Sequence, residues 1–208
     1  MPHETPVGAT LVHLDDATRA LVRLSASLAS GSEEDVRGAL QRAMGPTPHD
    51  WIEELLLQTY LFAGFPRALN GMREWRRLAP KPASGTVTPN DAFADAGETT
   101  CARVYGGMYE RLRENIKALH PRLDEWMITE GYGKVLSRPA LDLGRREICI
   151  VAACAATGQD RQLQSHLHGA RNVGVADSVI SATLASLADM IPRDSHERAT
   201  RLWTRIAA

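Results

Sequence analysis

The chain repeats itself, and that limits what it can fold into more than any other feature. Displaced by 127 positions, Leu14-Asp15 falls on Leu141-Asp142, Arg19 on Arg146, Ala26 on Ala153, Ala29 on Ala156, Gly31 on Gly158, Leu40 on Leu167, Ala43 on Ala170 and Asp50 on Asp177. Apolar positions pair conservatively as well: Leu21 with Ile148, Leu24 with Val151, Val36 with Leu163. Two copies of one supersecondary unit are expected to bury their apolar faces against each other. The mismatches carry the functional information. Glu147 stands opposite Ala20, Gln162 opposite Asp35 and His166 opposite Ala39. Ionisable groups kept in one copy imply a site there and a scaffold role for the other.

The unit is helical. Ala, Leu, Arg and Glu dominate and β-branched clusters are rare. The pattern predicts helices over 16–30, 33–44, 49–64, 66–78, 99–118, 120–136, 142–157, 160–173, 176–190 and 193–206. Ser32 before Glu33-Glu34-Asp35 is an N-cap with acids in the first turn. Gly31 and Gly158 follow apolar helices at the spot where a helix C-terminus calls for a left-handed residue. Pro66 and Pro192 suit a first turn that needs no N–H. The stretch 79–98 is rich in Pro, Ala, Ser, Gly and Thr without helical period, and reads as a linker. The organisation expected is a first repeat in 1–78 without a site, a linker at 79–98, and a second repeat in 99–208 that carries the site and two extra helices at its start.

Charge excludes some partners. The net formal charge is −1, and the Arg residues are interleaved with Asp and Glu, so neither nucleic acid nor an anionic membrane is expected to bind. The longest apolar runs, such as 147–157, fall short of the roughly 20 residues of a membrane span. Three cysteines, Cys101, Cys149 and Cys154, form no C-x-x-C pair, and the N-terminus has no basic-then-apolar leader. A reducing cytoplasm is the expected compartment.

Three segments could carry chemistry: the apolar helix 141–158 with Glu147 near its start, the run 159–169, and WIEELLLQTYLFAGFPR at 51–67. Gln159, Gln162 and His166 share one helix face, and His168 lies about 200° round from His166. Glu147 reads either as a helix-dipole partner or as a partly buried general acid or base. His166 reads as a satisfied core histidine or a proton carrier. Tyr132 reads as a packing anchor or a hydrogen-bond donor into a pocket, and Arg146 as an ion-pair partner or an anion clamp. Two histidines two residues apart on a helix chelate poorly, so no metal is expected. Cys149 and Cys154 lie in an apolar run and read as small buried hydrophobes.

EELLLQTYLFAGFPRALNGM in the first half and EGYGKVLSRPALDLGRREICIVAACAATGQDRQLQSHLHGARNVG in the second resemble the carboxymuconolactone decarboxylase family, within the alkyl hydroperoxidase D-like superfamily. The resemblance implies an all-α fold of two tandem helical repeats packed together. It also implies a homotrimer, because the simple family members assemble as rings, commonly of six units, and a doubled chain supplies two. The peroxidases of the superfamily use a Glu, a C-x-x-C pair and a following His. Glu147 and His166 match the first and last of these, and the cysteine positions fall on Gln159 and Gln162. Without thiolates the peroxidase chemistry loses its nucleophile. The decarboxylase branch, which lacks the pair, implies a cofactor-free lyase acting on a small carboxylated lactone or related intermediate of aromatic catabolism. Catalysis then falls to Glu147 and His166, and substrate binding to Arg146, His168, Tyr132 and Gln162. Two other readings stay open: a thiol-dependent hydroperoxide reductase working through Cys154, and a non-catalytic ligand-binding or scaffold oligomer.

Overall fold

The computed structural model describes residues 11–79 and 92–208. Residues 1–10, where no leader was expected, and most of the expected linker lie outside these residues. What is described is all-α, with helices α1 (Asp16–Ser30), α2 (Glu33–Met44), α3 (His49–Ala63), α4 (Phe65–Leu78), α5 (Phe93–Tyr105), α6 (Tyr109–Leu119), α7 (Pro121–Trp126), α8 (Leu143–Thr157), α9 (Asp160–Asn172), α10 (Asp177–Ala185) and α11 (Arg193–Ala207). Extended pairing among the described residues is confined to one bridge, Leu11 to Val175.

The helix bounds of α1 recur at α8 and the start of α2 at α9 with the displacement read from the residues: Asp16 becomes Leu143, Ser30 becomes Thr157, Glu33 becomes Asp160; α10 and α11 start within one residue of the displaced starts of α3 and α4. The caps recur too. Asp15 accepts from the N–H of Thr18 and Asp142 from that of Arg145, so both copies start their first helix with the same device. Ser32 and Asp35 bond each other's backbone N–H at the start of α2, a complete capping box. Gly158 takes the expected left-handed turn behind α8, at φ +69, a conformation a Cβ would strain, but Gly31 leaves α1 in extended backbone at φ −73.

α1 and α8 pack side by side with their N-termini together, and they supply much of the core: Leu21, Leu24 and Leu28 from one, Ile148, Ile150 and Val151 from the other, all at most 1% exposed. At about 25 cal/mol per Å² of apolar surface removed from water, residues of this size are the main source of stability. α8 is therefore held on all sides, and the groups it carries have fixed positions.

The middle of the chain departs from the expected pattern in three places. The helix expected over 99–118 starts earlier, at Phe93, and breaks at Gly106, where φ is +53. A three-residue 3₁₀ turn then leads into α6. The helix expected over 120–136 keeps α-geometry only to Trp126 and continues to Leu136 as a π-helix. The last residues of the expected linker are thus helical, and the reason is packing. Gly97 of α5 and Gly133 of the π segment cross in close contact. A Cβ on Gly97 would run into the Ile128 carbonyl, and one on Gly133 into that of Phe93. Glycine at 97 serves a crossing there, not a flexible connection. The expected helix over 176–190 is shorter as well, ending at Ala185.

Candidate active site

Two successive helices of the second half position the site. α8 starts at its Asp142 cap and brings Glu147 in on its second turn, with the side chain sealed from solvent. α9 follows after the Gly158 turn and presents His166 from its middle. Gly169, one turn beyond His166, lets α9 lie against the carboxylate: a Cβ there would sit 2.6 Å from Glu147 Oε2 and 2.7 Å from Val104 Cγ1. The result is a hydrogen bond of 2.8 Å between His166 Nδ1 and Glu147 Oε2. With the carboxylate accepting, Nδ1–H donates and the lone pair of the neutral ring lies on Nε2.

The two ends of this pair differ. Glu147 Oε1 is buried without a hydrogen-bond partner. Such an oxygen is costly to keep. The His166 side chain retains 7% exposure. No hydrogen-bond partner of its Nε2 is found among the described residues. A buried carboxylate behind an imidazole with one unpartnered nitrogen can take up a proton at Nε2 and offset the resulting charge at Nδ1.

Around the pair lies a wall of groups held neutral. Burial pushes the Tyr132 phenol well above its usual range, and the neighbouring Tyr105 and Glu147 push the same way. Tyr105 is raised to about 12, chiefly by burial. The two rings meet edge to face, with centroids 6.1 Å apart. Burial lifts the thiols of Cys101, Cys149 and Cys154 each to about 12, and at Cys154 the charge of Glu147 adds to it. All three are free and buried. A thiol of that kind is a poor nucleophile at neutral pH.

The other expected site residues divide. Tyr132 comes into the cluster, turned there by the π segment. Gln162 is exposed one turn before His166 on the same face of α9. His168 is exposed and makes no contact with the pair. Arg146 is the correction. It is fully buried, and its guanidinium is spent on Glu54 (2.8 Å), Gln58 (3.2 Å) and the carbonyls of Leu141 and Arg138 (both 3.0 Å). It fastens α8 to α3 and has no fork to offer a substrate carboxylate. Burial lowers the pKa of Arg146 even beside Glu54, the reverse of what pairing alone does. Glu54 nonetheless stays low, because it collects the hydrogen bonds and charge of two guanidiniums, Arg138 and Arg146, which outweigh its own burial.

Phe62, Tyr105 and Gly169 were not singled out from the residues. Phe62 stacks edge-on against the His166 ring at 5.6 Å. Its apolar run reads as core, and nothing in it signals a contact with the other half. The His-Gly pair at 168–169 was a visible signal, since glycine inside a helix implies close approach.

The described residues are thus an all-α unit in which Glu147 on one helix holds His166 on the next. Residues 121–204, from α7 into α11, match the model of the carboxymuconolactone decarboxylase family. Over 191 residues the chain is 27% identical to Peroxisomal protein 2 of Schizosaccharomyces pombe, covering 88% of this chain and 90% of that one. The first-half stretch EELLLQTYLFAGFPRALNGM lies outside the family match but inside a relationship that takes in nearly the whole chain.

Proposed function

We propose that the protein is a cofactor-free, decarboxylase-like lyase acting on a small carboxylated lactone or a related unsaturated acid. The observation that carries this reading is the 2.8 Å bond from His166 to Glu147, which leaves Nε2 without a partner among the described residues. In the reaction, the bond between the carboxylate carbon and the ring breaks and CO₂ leaves. Its electron pair passes through the conjugated system onto the lactone carbonyl oxygen, giving a dienolate. His166, protonated at Nε2, then returns a proton to carbon. Glu147 keeps the ring oriented and offsets its charge while it is an imidazolium. A positioned acid or base of this kind is worth roughly 10²–10⁴ in rate. Gln162, exposed one turn before His166, is the side chain proposed to meet the substrate carboxylate in place of Arg146, and Tyr132 lines the inner wall.

The thiol-dependent reductase reading loses ground to the buried thiols at about 12. The scaffold reading draws on the burial of the pair, and the two are separated by assay. Decarboxylation of a carboxylated muconolactone is measured for the wild type, His166→Ala and Glu147→Gln. A loss of about 10²-fold or more in both variants is expected. Wild-type turnover in both ends the proposal.

The chain is also proposed to act as a homotrimer, in which three doubled units close a ring. Among the described residues no helix is long and apolar enough to cross a membrane. Two compartments fit the protein: the cytoplasm, from its cysteine usage, and the peroxisome, from the name of the fission-yeast relative.

A further inference from the structure

We propose that Phe62, a residue of the first half, is the gate over the His166 imidazole and sets the size of what reaches Nε2. The proposal rests on His166 being the proton-transfer group. Four observations converge on it. The Phe62 ring stands edge-on to the imidazole, with centroids 5.6 Å apart and planes at 84°. Nδ1 is occupied by Glu147, so the nitrogen left to react is Nε2, on a side chain only 7% exposed. Phe62 is itself half-buried, on the last turn of α3 just before Gly64, where φ is +83 and the helix stops. Its ring also lines a cavity of about 10 Å³ between α1, α3 and α8, whose walls include Ala29, Thr59 and Ile150.

A cavity that small holds about one water. A swing of Phe62 toward that side would uncover the His166 ring it stands against. Partly exposed side chains change rotamer on the picosecond to nanosecond scale, so the motion needs no rearrangement of the backbone. The wall offered to the substrate is then an aromatic face. It suits the uncharged ring or hydrocarbon part, leaving the polar end for Nε2. The position 127 residues on from Phe62 is Asp189, an exposed partner of Arg23, so the gate occurs in one half only. It sits in the half that lacks the Glu–His pair, and the first half contributes the access wall as well as scaffold.

Carbethoxylation by diethyl pyrocarbonate tests this on the full chain and needs no substrate. Each histidine is followed by mass spectrometry of tryptic peptides, the 162–171 fragment carrying both His166 and His168. His168 is exposed and reports reagent strength. His196, whose Nε2 lies 3.0 Å from the Leu184 carbonyl, reports loosening of the fold. In Phe62→Ala the His166 rate is expected to rise about tenfold, and in Phe62→Trp to fall, with His168 and His196 unchanged in both. Equal His166 rates in the three proteins overturn the gate. So does a rise of His166 and His196 together, which means unfolding and not access. An inactive lyase assay leaves this result standing, and the two failures are distinguishable.

Discussion

Arg145 donates through Nε to the hydroxyl of Thr18, the residue that holds its own place in the first half, at 2.9 Å. The same guanidinium reaches Asp142, the cap of α8, at 2.7 Å and Asp15, the cap of α1, at 3.1 Å. It lies 4.4 Å above the Trp51 ring. Corresponding positions meet where the two halves touch, and one side chain ties both helix starts together.

Arg145→Ala is expected to destabilise the protein by about 2–3 kcal/mol, combining charge-assisted hydrogen bonds with a stacked cation. Arg145→Lys keeps the charge but not the fork, and recovers less than half. Urea unfolding with an unchanged slope measures both. A cost under about 0.5 kcal/mol would reduce this contact to an ordinary surface ion pair.

Glu54 gives stability a pH dependence of known sign. Its burial alone would raise the carboxyl, but Arg138 and Arg146 hold it below the ordinary 4.5. A carboxyl lowered on folding contributes fully above its unfolded value and loses that contribution as pH falls through its folded one. Glu54→Gln therefore costs about 3 kcal/mol at pH 7, where it strands the buried Arg146. The gap to wild type narrows as pH drops below the ordinary carboxylate range. Urea midpoints across that range check it, and an undiminished gap at low pH would assign the loss to packing.

The glycines of the π segment separate crossing from flexibility. Gly133→Ala drives a Cβ into the Phe93 carbonyl, a backbone atom that cannot turn aside. A cost of about 3 kcal/mol is expected, at the upper end for overpacking. Gly131, two residues away, has open space where its Cβ would go. Gly131→Ala should be neutral or gain up to about 1 kcal/mol. Thermal unfolding of the two variants side by side is the measurement, and similar losses in both would remove the close crossing as the cause.

The helices of both repeats were legible because capping signals and apolar spacing agree. Ser32 caps where expected and Gly158 ends α8 in the left-handed turn expected of it, whereas Gly31 ends α1 in extended backbone and the caps Asp15 and Asp142 were not singled out. The Glu147–His166 pairing was legible through the mismatch between copies. The π segment was not, since EGYGKVL carries the residues of an ordinary helix and only the crossing with α5 selects the wider turn. Nor was the fate of Arg146. Its neighbour Glu147 enters the site, but one position further round the helix the side chain meets Glu54 and Gln58 of α3, and sequence spacing does not say which helix lies there. Phe62 escaped for the same reason, because its contact spans the two halves.

Gly169 offers a way to misplace the carboxylate without removing it. In Gly169→Ala the new Cβ claims the space of Glu147 Oε2 and presses on Val104. The carboxylate has no second lodging, since its other oxygen already lacks a partner. It must turn from His166, and Nδ1–H loses its acceptor. Turnover is expected to fall about 10²-fold, the scale of a misplacement of about 1 Å, while overpacking costs about 1–3 kcal/mol of stability. Proton NMR supplies a readout free of any substrate. The His166 Nδ1–H, bonded to a buried carboxylate and shielded from exchange, should give a slowly exchanging downfield resonance in the wild type. That resonance should vanish in Gly169→Ala and in Glu147→Gln. Its persistence in Gly169→Ala would mean that α9 moves away as a unit and carries the pair intact, and activity should then survive as well.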